Sequence, residues 1–249
     1  MNLNQFKCKL TSKISIKGEY EGNENTGKVV IFSHGFGVQR DDRGMFNDLG
    51  DNLKNKFLIV RFDYSLINEK DNSTEVYPYS IQSKMLKKVY SYIKNKFSPN
   101  EVNIIAHSMG CLIVGLARIK NLNKVLLLSG PPSSPYSGIK KYFSNRSGTK
   151  IDENGTSILK RSDGSLTYIK KNFWKEMKSV NPPKLYSHLA KNSEVIFIRA
   201  LSDQVITETE FSKISKNSKI KLIEIDGNHN FEGKARRELT NLISKYLTI

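Results

Sequence analysis

Residues 102–117 change from a strand pattern to a helix pattern at one serine, and this change limits the fold more than any other feature of the sequence. A β-branched run before Ser108 predicts a buried strand, and the apolar residues after it predict a helix. Ala106 and Gly110 lie two positions to either side of Ser108, where a sharp strand-to-helix turn leaves room only for small side chains. Together these features indicate a nucleophile elbow, which would hold the Ser108 hydroxyl at the carboxyl edge of a sheet. The alternative is an ordinary helix in which Ser108 only caps the N-terminus.

Short apolar runs alternate with amphipathic helical patterns along most of the chain. The predicted strands cover residues 10–18, 28–33, 57–62, 102–106, 124–128, 194–201 and 219–225, and the main predicted helices cover residues 44–55, 80–97 and 235–246. The first of these strands is expected at an edge of the sheet, whereas the apolar run at 29–32 is typical of a strand that helices cover on both faces. The predicted fold class is therefore α/β, with a mostly parallel sheet flanked by helices.

The alternation stops between residues 131 and 192. This segment contains two pairs of consecutive prolines, a predicted hairpin around residues 163–164 and a predicted helix at 173–180. A segment of about sixty residues with its own secondary structure is more typical of a lid than of a linker. We therefore predict an α/β core formed by residues 1–130 and 193–249, into which residues 131–192 are inserted as a lid.

Aromatic side chains in the predicted lid are candidates for contact with a substrate. Trp174, Tyr142 and Tyr168 are predicted to line an acyl or aryl pocket above Ser108, with Phe173 as a further candidate. Each of them could instead belong to the core of the lid. Because the same segment also carries lysines, we expect compact acyl or aryl esters, some of them negatively charged, to be preferred over long-chain lipids.

The composition argues against several classes of protein. The 249-residue chain has a net charge of +16, which would suit an anionic partner such as nucleic acid or a membrane surface. Its lysines are scattered along the whole chain without an Arg-rich arm, so a solvated basic surface is favoured, and neither nucleic acid nor a membrane is expected as a partner. No run approaches the roughly 18 to 20 apolar residues of a membrane span, and the N-terminal residues lack the pattern of a secretory signal, which predicts a cytoplasmic protein. Cys8 and Cys111 indicate neither a disulfide framework nor a metal site.

Three polar residues follow predicted strands that should end at the same edge of the sheet: Ser108, Asp203 and His229. A hydroxyl becomes a good nucleophile when a neutral imidazole takes its proton, and the imidazole needs a carboxylate that fixes its tautomer. Asp226 is a second candidate for that carboxylate. It lies only three residues before His229, however, and is expected to stabilise the turn instead.

Two backbone amides are candidates for stabilising negative charge near Ser108. The amide of Met109 lies at the predicted N-terminus of the helix after the elbow, and the amide of Phe36 lies in the His-Gly-Phe-Gly turn at residues 34–37. The two glycines let that turn approach a bound substrate closely. Phe36 and Met109 are therefore predicted to form an oxyanion hole.

Five motifs give the chain a resemblance to a known superfamily. They are His-Gly-Phe-Gly at residues 34–37, Arg-Phe-Asp at 61–63, His-Ser-Met-Gly at 107–110, Ser-Asp-Gln-Val at 202–205 and Gly-Asn-His-Asn-Phe at 227–231. With these motifs the chain resembles the α/β-hydrolase superfamily, and within it the lidded bacterial esterases of the cinnamoyl/feruloyl esterase-like and serine aminopeptidase-like groups. The resemblance implies an α/β-hydrolase fold in which Ser108 is the nucleophile, His229 the base and Asp203 the acid.

The sequence departs from the motifs of these groups at two places. Ala106 replaces the usual first glycine of the elbow, a change that is sterically tolerable. After Asp63, Tyr-Ser-Leu-Ile-Asn-Glu-Lys replaces the usual glycine-rich turn. The second departure weakens assignment to any one subfamily and is expected to reshape the wall of the pocket.

These observations predict a serine hydrolase that cleaves the carboxylic ester or thioester bonds of a small-molecule substrate through an acyl-enzyme on Ser108. Such chemistry needs no metal ion and no cofactor. A serine aminopeptidase-like peptidase is one alternative, and a ligand-binding member of the fold without catalysis is another. The presence of all three triad residue types argues against the second alternative.

Overall fold

An eight-stranded sheet forms the centre of the computed structural model, which describes residues 3–207 and 211–248. With elements numbered in chain order, its strands lie side by side as β1 (Asn4–Lys9), β2 (Ser15–Gly22), β4 (Leu58–Phe62), β3 (Lys28–Ser33), β7 (Glu101–His107), β8 (Lys124–Leu128), β11 (Glu194–Ala200) and β12 (Ile220–Ile225). The strands from β4 to β12 pair in parallel, whereas β1 pairs antiparallel with β2, and β2 antiparallel with β4. The parallel strands therefore all end at one edge of the sheet.

Helices cover both faces of this sheet. They are α1 (Met45–Leu53), α2 (Tyr79–Phe97), α3 (Met109–Ala117), α4 (Tyr136–Ser144), α5 (Lys171–Ser179), α6 (Pro182–Leu189), α7 (Ser212–Ser215) and α8 (Lys234–Thr248). α1 and α8 contribute to the hydrophobic cluster on one face, and α2, α3, α5 and α6 contribute to the cluster on the other. None of the helices within the described residues has the length and hydrophobicity needed to cross a lipid bilayer.

The side chains of β3 show why both faces of the sheet must be covered. Val29 and Ile31 belong to the cluster beneath α2 and α3, whereas Val30 and Phe32 belong to the cluster beneath α1 and α8. Successive side chains of a strand point to opposite faces, so a continuous apolar run is buried only when helices pack on both. The α/β class predicted from these runs is confirmed.

A second sheet of four strands lies outside the central one. It consists of β5 (Ser65–Asn68), β6 (Ser73–Val76), β10 (Leu166–Lys170) and β9 (Thr156–Lys160), in that spatial order. β9 and β10 form the hairpin predicted around residues 163–164, and β10 pairs in parallel with β6. The segment after Asp63 therefore joins the segment 131–192 in one sheet, a connection that the sequence did not indicate.

The predicted strand at residues 10–18 is wrong. The chain instead forms β1 and β2 as a hairpin, with a turn between Lys9 and Ser15. The hydroxyl of Thr11 accepts hydrogen bonds from the amides of Lys13 and Ile14, at 3.2 and 3.1 Å. This turn uses a threonine side chain and contains no glycine or proline, so the usual sequence signals of a turn are missing.

Candidate active site

Ser108 occupies the turn between the end of β7 and the start of α3. Its backbone has φ 53° and ψ −121°, a conformation that non-glycine residues rarely adopt and that fits a strained strand-to-helix elbow. Its amide donates to the carbonyl of Leu128 at 2.9 Å, which fixes the turn to the neighbouring strand β8. A Cβ atom at Gly110 would lie 2.1 Å from the carbonyl oxygen of Ser33. Only glycine therefore fits two residues after Ser108.

Ser108, His229 and Asp203 lie within hydrogen-bonding distance of one another in that order. The Oγ atom of Ser108 is 3.0 Å from Nε2 of His229, and Nδ1 of His229 is 2.7 Å from Oδ2 of Asp203. Asp203 follows β11 and His229 follows β12, so both loops leave the sheet at the same edge as the elbow. Because an ionised carboxylate only accepts hydrogen bonds, His229 donates from Nδ1, and Nε2 accepts from the Ser108 hydroxyl.

Both carboxylate oxygens of Asp203 are engaged. Oδ1 accepts hydrogen bonds from the amides of Val205 and Ile206, each at 2.8 Å, while Oδ2 faces His229. Burial opposes ionisation of this carboxyl, but these hydrogen bonds and the nearby imidazole hold the pKa of Asp203 below its usual value. Asp203 is therefore ionised at neutral pH and fixed in orientation.

Asp226 does not reach the imidazole. Its side chain is exposed and accepts a hydrogen bond from the hydroxyl of Ser202 at 3.3 Å. This contact links the loop after β12 to the loop after β11. The structure thus brings Asp203, and not Asp226, to His229.

His229 is buried, with 8% of the residue exposed. Burial lowers the pKa of His229, the hydrogen bond to Asp203 acts in the opposite direction, and the charge of His107 lowers it again, so that the result is below the usual 6.5. His229 is therefore neutral at neutral pH, with Nε2 free to accept a proton.

The amides of Phe36 and Met109 form none of the backbone hydrogen bonds found among the described residues. Met109 directly follows Ser108, and Phe36 lies in the turn after β3. A Cβ atom at Gly35 would be 3.4 Å from Cβ of Ser108, so this turn passes directly beside the elbow. Gly37, with φ 62°, provides the left-handed conformation that continues the turn.

A cavity of about 110 Å³ opens beside Ser108 and His229. Three parts of the chain form most of its wall: the turn after β3 and the loop before α1, helix α4, and the hairpin between β9 and β10. Their cavity-lining residues include Phe36, Val38, Arg43, Ile139, Tyr142, Phe143 and Arg161. The wall is thus mainly apolar and aromatic, with two arginines.

Of the four aromatic residues predicted to line the pocket, Tyr142 is the one that does so. Trp174 is 1% exposed, and its indole N–H donates to Oγ of Ser157 at 2.9 Å. Tyr168 lies on β10 between two fully buried neighbours, so its side chain points to the opposite face of the second sheet. Phe173 is fully buried and also lies outside the cavity wall, so the prediction is wrong for Trp174, Tyr168 and Phe173.

Solved structures of three esterases share this architecture over nearly the whole chain. Est1E from Butyrivibrio proteoclasticus is 17% identical with a TM-score of 0.74, and the match covers 98% of each chain. The esterase domain of a Rhodothermus marinus protein is 12% identical with a TM-score of 0.72, covering 99% of this chain and 98% of that one. The Pyrococcus furiosus esterase Pf2001 is 16% identical with a TM-score of 0.71, covering 99% of this chain and 90% of that one.

A family model described as "Alpha/beta hydrolase of unknown function (DUF900)" matches residues 16–125, from β2 through the elbow to β8. The chain has the α/β-hydrolase fold. This result confirms the fold class and the superfamily resemblance inferred from the motifs. No curated protein matches the sequence.

In this α/β-hydrolase fold, a second histidine–carboxylate pair lies behind the elbow. Oδ2 of Asp42 accepts hydrogen bonds from Nδ1 of His107, at 2.9 Å, and from the amide of Gly35, at 2.8 Å. Nε2 of His107 lies 3.0 Å from the carbonyl oxygen of His229. One buried pair thus holds the turn after β3, the residue before Ser108 and the backbone of His229.

The contacts of His107 fix its charge. Its Nδ1 faces a carboxylate and its Nε2 faces a carbonyl oxygen, and because both partners only accept, both ring nitrogens must carry protons. Burial disfavours this cation, but Asp42 opposes the effect and the pKa of His107 is raised. The pKa of Asp42 is correspondingly lowered, despite the opposing effect of its burial. Asp42 and His107 therefore form a buried ion pair.

Sequence reasoning missed Asp42, Arg43 and Arg161. His107 was visible as part of the motif at residues 107–110, but nothing nearby in the sequence points to its partner Asp42. Arg161 reaches the cavity because the hairpin of β9 and β10 is joined to β6 through β10, a pairing that the sequence did not indicate. One local signal was present, since Asp42 and Arg43 are polar residues between the predicted turn at residues 34–37 and the predicted helix at 44–55.

Proposed function

We propose that the protein is a serine hydrolase that cleaves carboxylic ester or thioester bonds of compact acyl or aryl substrates through an acyl-enzyme on Ser108. The observation that carries this proposal is the hydrogen-bonded series from Ser108 through His229 to Asp203, which opens into a cavity. Each member has the protonation that the reaction needs: an ionised carboxylate, a neutral imidazole and a hydroxyl.

In the acylation step, Oγ of Ser108 attacks the carbonyl carbon of the ester while its proton moves to Nε2 of His229. The carbonyl oxygen becomes an oxyanion, for which the amides of Phe36 and Met109 are the available donors. The C–O or C–S bond to the leaving group then breaks, and His229 returns the proton to the leaving alcohol or thiol. Asp203 stabilises the imidazolium that exists between these two proton transfers.

In the deacylation step, His229 takes a proton from a water molecule, whose oxygen attacks the acyl carbon on Ser108. The second tetrahedral intermediate uses the same two amides. When it collapses, His229 gives the proton back to Oγ of Ser108, and the carboxylic acid leaves. One water is consumed per cycle, and the enzyme returns to its initial protonation state.

The size of the cavity supports a compact substrate. A volume of about 110 Å³ is small beside the roughly 300 to 1,000 Å³ of typical ligand pockets. Ile139, Tyr142 and Phe143 on α4 form one side of it. We therefore propose that the segment 131–192 acts as a lid that limits the length of the acyl group.

The charges in the cavity favour an esterase over an aminopeptidase. A peptide substrate of an aminopeptidase carries an ammonium group next to the reacting bond, and such a group is stabilised by a free carboxylate. The acids at this site, Asp42 and Asp203, are both engaged by histidines, and two arginines line the wall. A cationic substrate would meet repulsion there.

Labelling with a fluorophosphonate probe tests the proposal, because such probes react with an activated serine. We expect an adduct on Ser108 and hydrolysis of short acyl and aryl esters faster than of long-chain esters and of aminoacyl anilides. Ser108→Ala should abolish both signals. Ser202→Ala, which alters an exposed serine at the same edge of the sheet, should keep both.

Two outcomes would contradict the proposed function. A folded protein that gives no adduct on Ser108 would exclude an activated serine and would favour a ligand-binding role. Aminoacyl anilides cleaved faster than all esters would favour the peptidase.

A further inference from the structure

Two arginines share the cavity with Ser108. Arg43 lies in the loop before α1, and Arg161 lies in the turn between β9 and β10. Within residues 3–207 and 211–248, neither guanidinium belongs to any ion pair. The arginines that do form ion pairs are Arg40, Arg61, Arg199 and Arg236.

The guanidinium of Arg161 lies directly against the turn after β3. Its Nη1 donates to the carbonyl oxygen of Phe36 at 3.3 Å, which is a long hydrogen bond. A Cβ atom at Gly37 would be 2.6 Å from the same Nη1, so the absence of a side chain there makes room for the guanidinium. Arg161 therefore lies beside the proposed oxyanion hole, and among the described residues its guanidinium uses only one of its five donors.

Two acids near these arginines already accept hydrogen bonds from other groups. Asp42 accepts from His107 and Gly35, and Asp163 accepts from the amide and the hydroxyl of Ser165, at 2.9 and 2.6 Å. Burial and the charge of Arg43 both lower the pKa of Arg161, and the charge of Asp163 opposes them only in part. The cavity thus has an excess of positive charge that an anion would offset.

We propose that Arg43 and Arg161 form a subsite for an anionic group, a carboxylate or a phosphate, that the ester substrate carries a few atoms from the bond to be cleaved. A guanidinium matches the geometry of either anion with paired N–H donors. The small cavity keeps that anion close to Ser108. This inference rests on the proposed function for the reacting bond and adds the charge of the substrate.

Matched pairs of esters test the subsite. An anion on the acyl side is probed with 4-nitrophenyl hemiglutarate against 4-nitrophenyl pentanoate, and an anion on the leaving group with 4-acetoxybenzoate against phenyl acetate. We expect kcat/KM for one anionic ester to exceed that of its neutral counterpart about tenfold or more, as for hydrogen bonds between charged groups. Competition by inorganic phosphate against glutarate shows which anion binds better.

Variants of Arg161 connect this preference to the cavity. Arg161→Gln should lower the ratio of anionic to neutral kcat/KM about tenfold, mainly through KM, because binding is lost. Arg161→Lys keeps the positive charge but loses the paired N–H donors of the guanidinium. It should therefore keep part of the ratio of anionic to neutral kcat/KM. Arg199→Gln, which removes an arginine outside the cavity, should leave the ratio unchanged.

A binding measurement separates failure of the subsite from failure of the hydrolase. Calorimetry with glutarate and with inorganic phosphate on the Ser108→Ala protein should detect binding that Arg161→Gln weakens about tenfold. If the fluorophosphonate labels Ser108 but anionic and neutral esters react equally, the subsite is wrong and the hydrolase stands. If no label forms but glutarate binds through Arg161, the hydrolase is wrong and the subsite stands. Equal binding with and without Arg161 overturns the subsite.

Discussion

Asp203 offers His229 a carboxylate whose other oxygen is already fixed by two backbone amides. This arrangement leaves Oδ2 in one position and one protonation state. His229 consequently keeps its proton on Nδ1 and presents an unprotonated Nε2 to Ser108. The geometry at this one residue decides whether the hydroxyl can be activated.

Asp203→Asn should lower kcat on the order of a thousandfold or more while the protein stays folded. The amide of asparagine can donate to Nδ1, which favours the imidazole tautomer with its proton on Nε2, as the same change does in the triad of serine proteases. Asp226→Asn is the control, because the carboxylate of Asp226 accepts from Ser202 and does not reach His229. Steady-state kinetics on a 4-nitrophenyl ester measures both. A larger loss from Asp226→Asn would assign the acid to Asp226.

The acid limb of the pH profile should report His229. The base must be unprotonated, so kcat/KM falls as the pH drops through the pKa of His229 in the free enzyme. Since burial holds this pKa below 6.5, we expect half-maximal kcat/KM at a pH below 6.5. The unfolding temperature measured at each pH shows that the limb is not denaturation. A limb centred above 6.5 would contradict a neutral, buried imidazole.

At the scale of elements, one loop connects β3, the elbow and α1. Asp42, Arg43 and Gly44 all have positive φ, at 45°, 59° and 82°, a rare series that turns Asp42 inwards towards His107 while Arg43 lies on the cavity wall. Left-handed non-glycine residues are strained. The buried ion pair between Asp42 and His107 helps to hold this loop in place, together with the ion pair between Arg40 and Asp63.

Asp42→Asn should destabilise the protein by about 3 kcal/mol at mildly acidic pH, because it leaves a buried cationic histidine without its partner. The pKa of Asp42 is lowered in the folded protein, so the stabilisation that its ionised carboxylate provides is lost as the pH falls through this lowered pKa. The pKa of His107 is raised in the folded protein, so the stabilisation that its protonated imidazole provides is lost as the pH rises through this raised pKa. The difference in free energy of unfolding should therefore be largest between about pH 4 and pH 6.5.

Urea unfolding of both proteins across this pH range measures the difference. Asp41→Asn is the matched control, since Asp41 lies next to Asp42 and its carboxylate accepts a hydrogen bond from the amide of Gly44 at 3.2 Å. It should change the free energy of unfolding by less than about 0.5 kcal/mol. A loss from Asp42→Asn that is the same at every pH would mean that the pair is not ionic.

Strands and helices with a strong hydrophobic periodicity were predictable from the sequence. Strands that form because they pair with strands far along the chain were not. β3, β7 and β8 have apolar runs that only a doubly covered strand explains. β5 and β6 are short and largely polar, with the sequences Ser-Leu-Ile-Asn and Ser-Thr-Glu-Val. Their strand conformation depends on pairing with each other and with β10, far along the chain, and no local pattern contains that information.

At the scale of the whole molecule, the positions of the three polar residues of the candidate site were predictable from the sequence, whereas its cavity wall was not. The positions of Ser108, Asp203 and His229 follow from a rule of parallel sheets, because their strands end at one edge. The cavity wall depends on how α4 and the hairpin around Arg161 pack above that edge. This packing places Arg161 in the cavity and removes Trp174 from it, and neither result follows from residue type or spacing.

The pairing of β6 with β10 also determines which piece of this chain could be exchanged with a relative. Residues 65–76 leave and rejoin the core before the elbow, yet their strands complete a sheet with residues 156–170. A chimaera that replaces residues 131–192 alone would leave the edge of β6 without the strand it pairs with. The part of the chain that can be exchanged as a unit therefore consists of two separate segments, residues 65–76 and residues 131–192. A new pocket wall can be acquired only when the coding sequences of both segments change together.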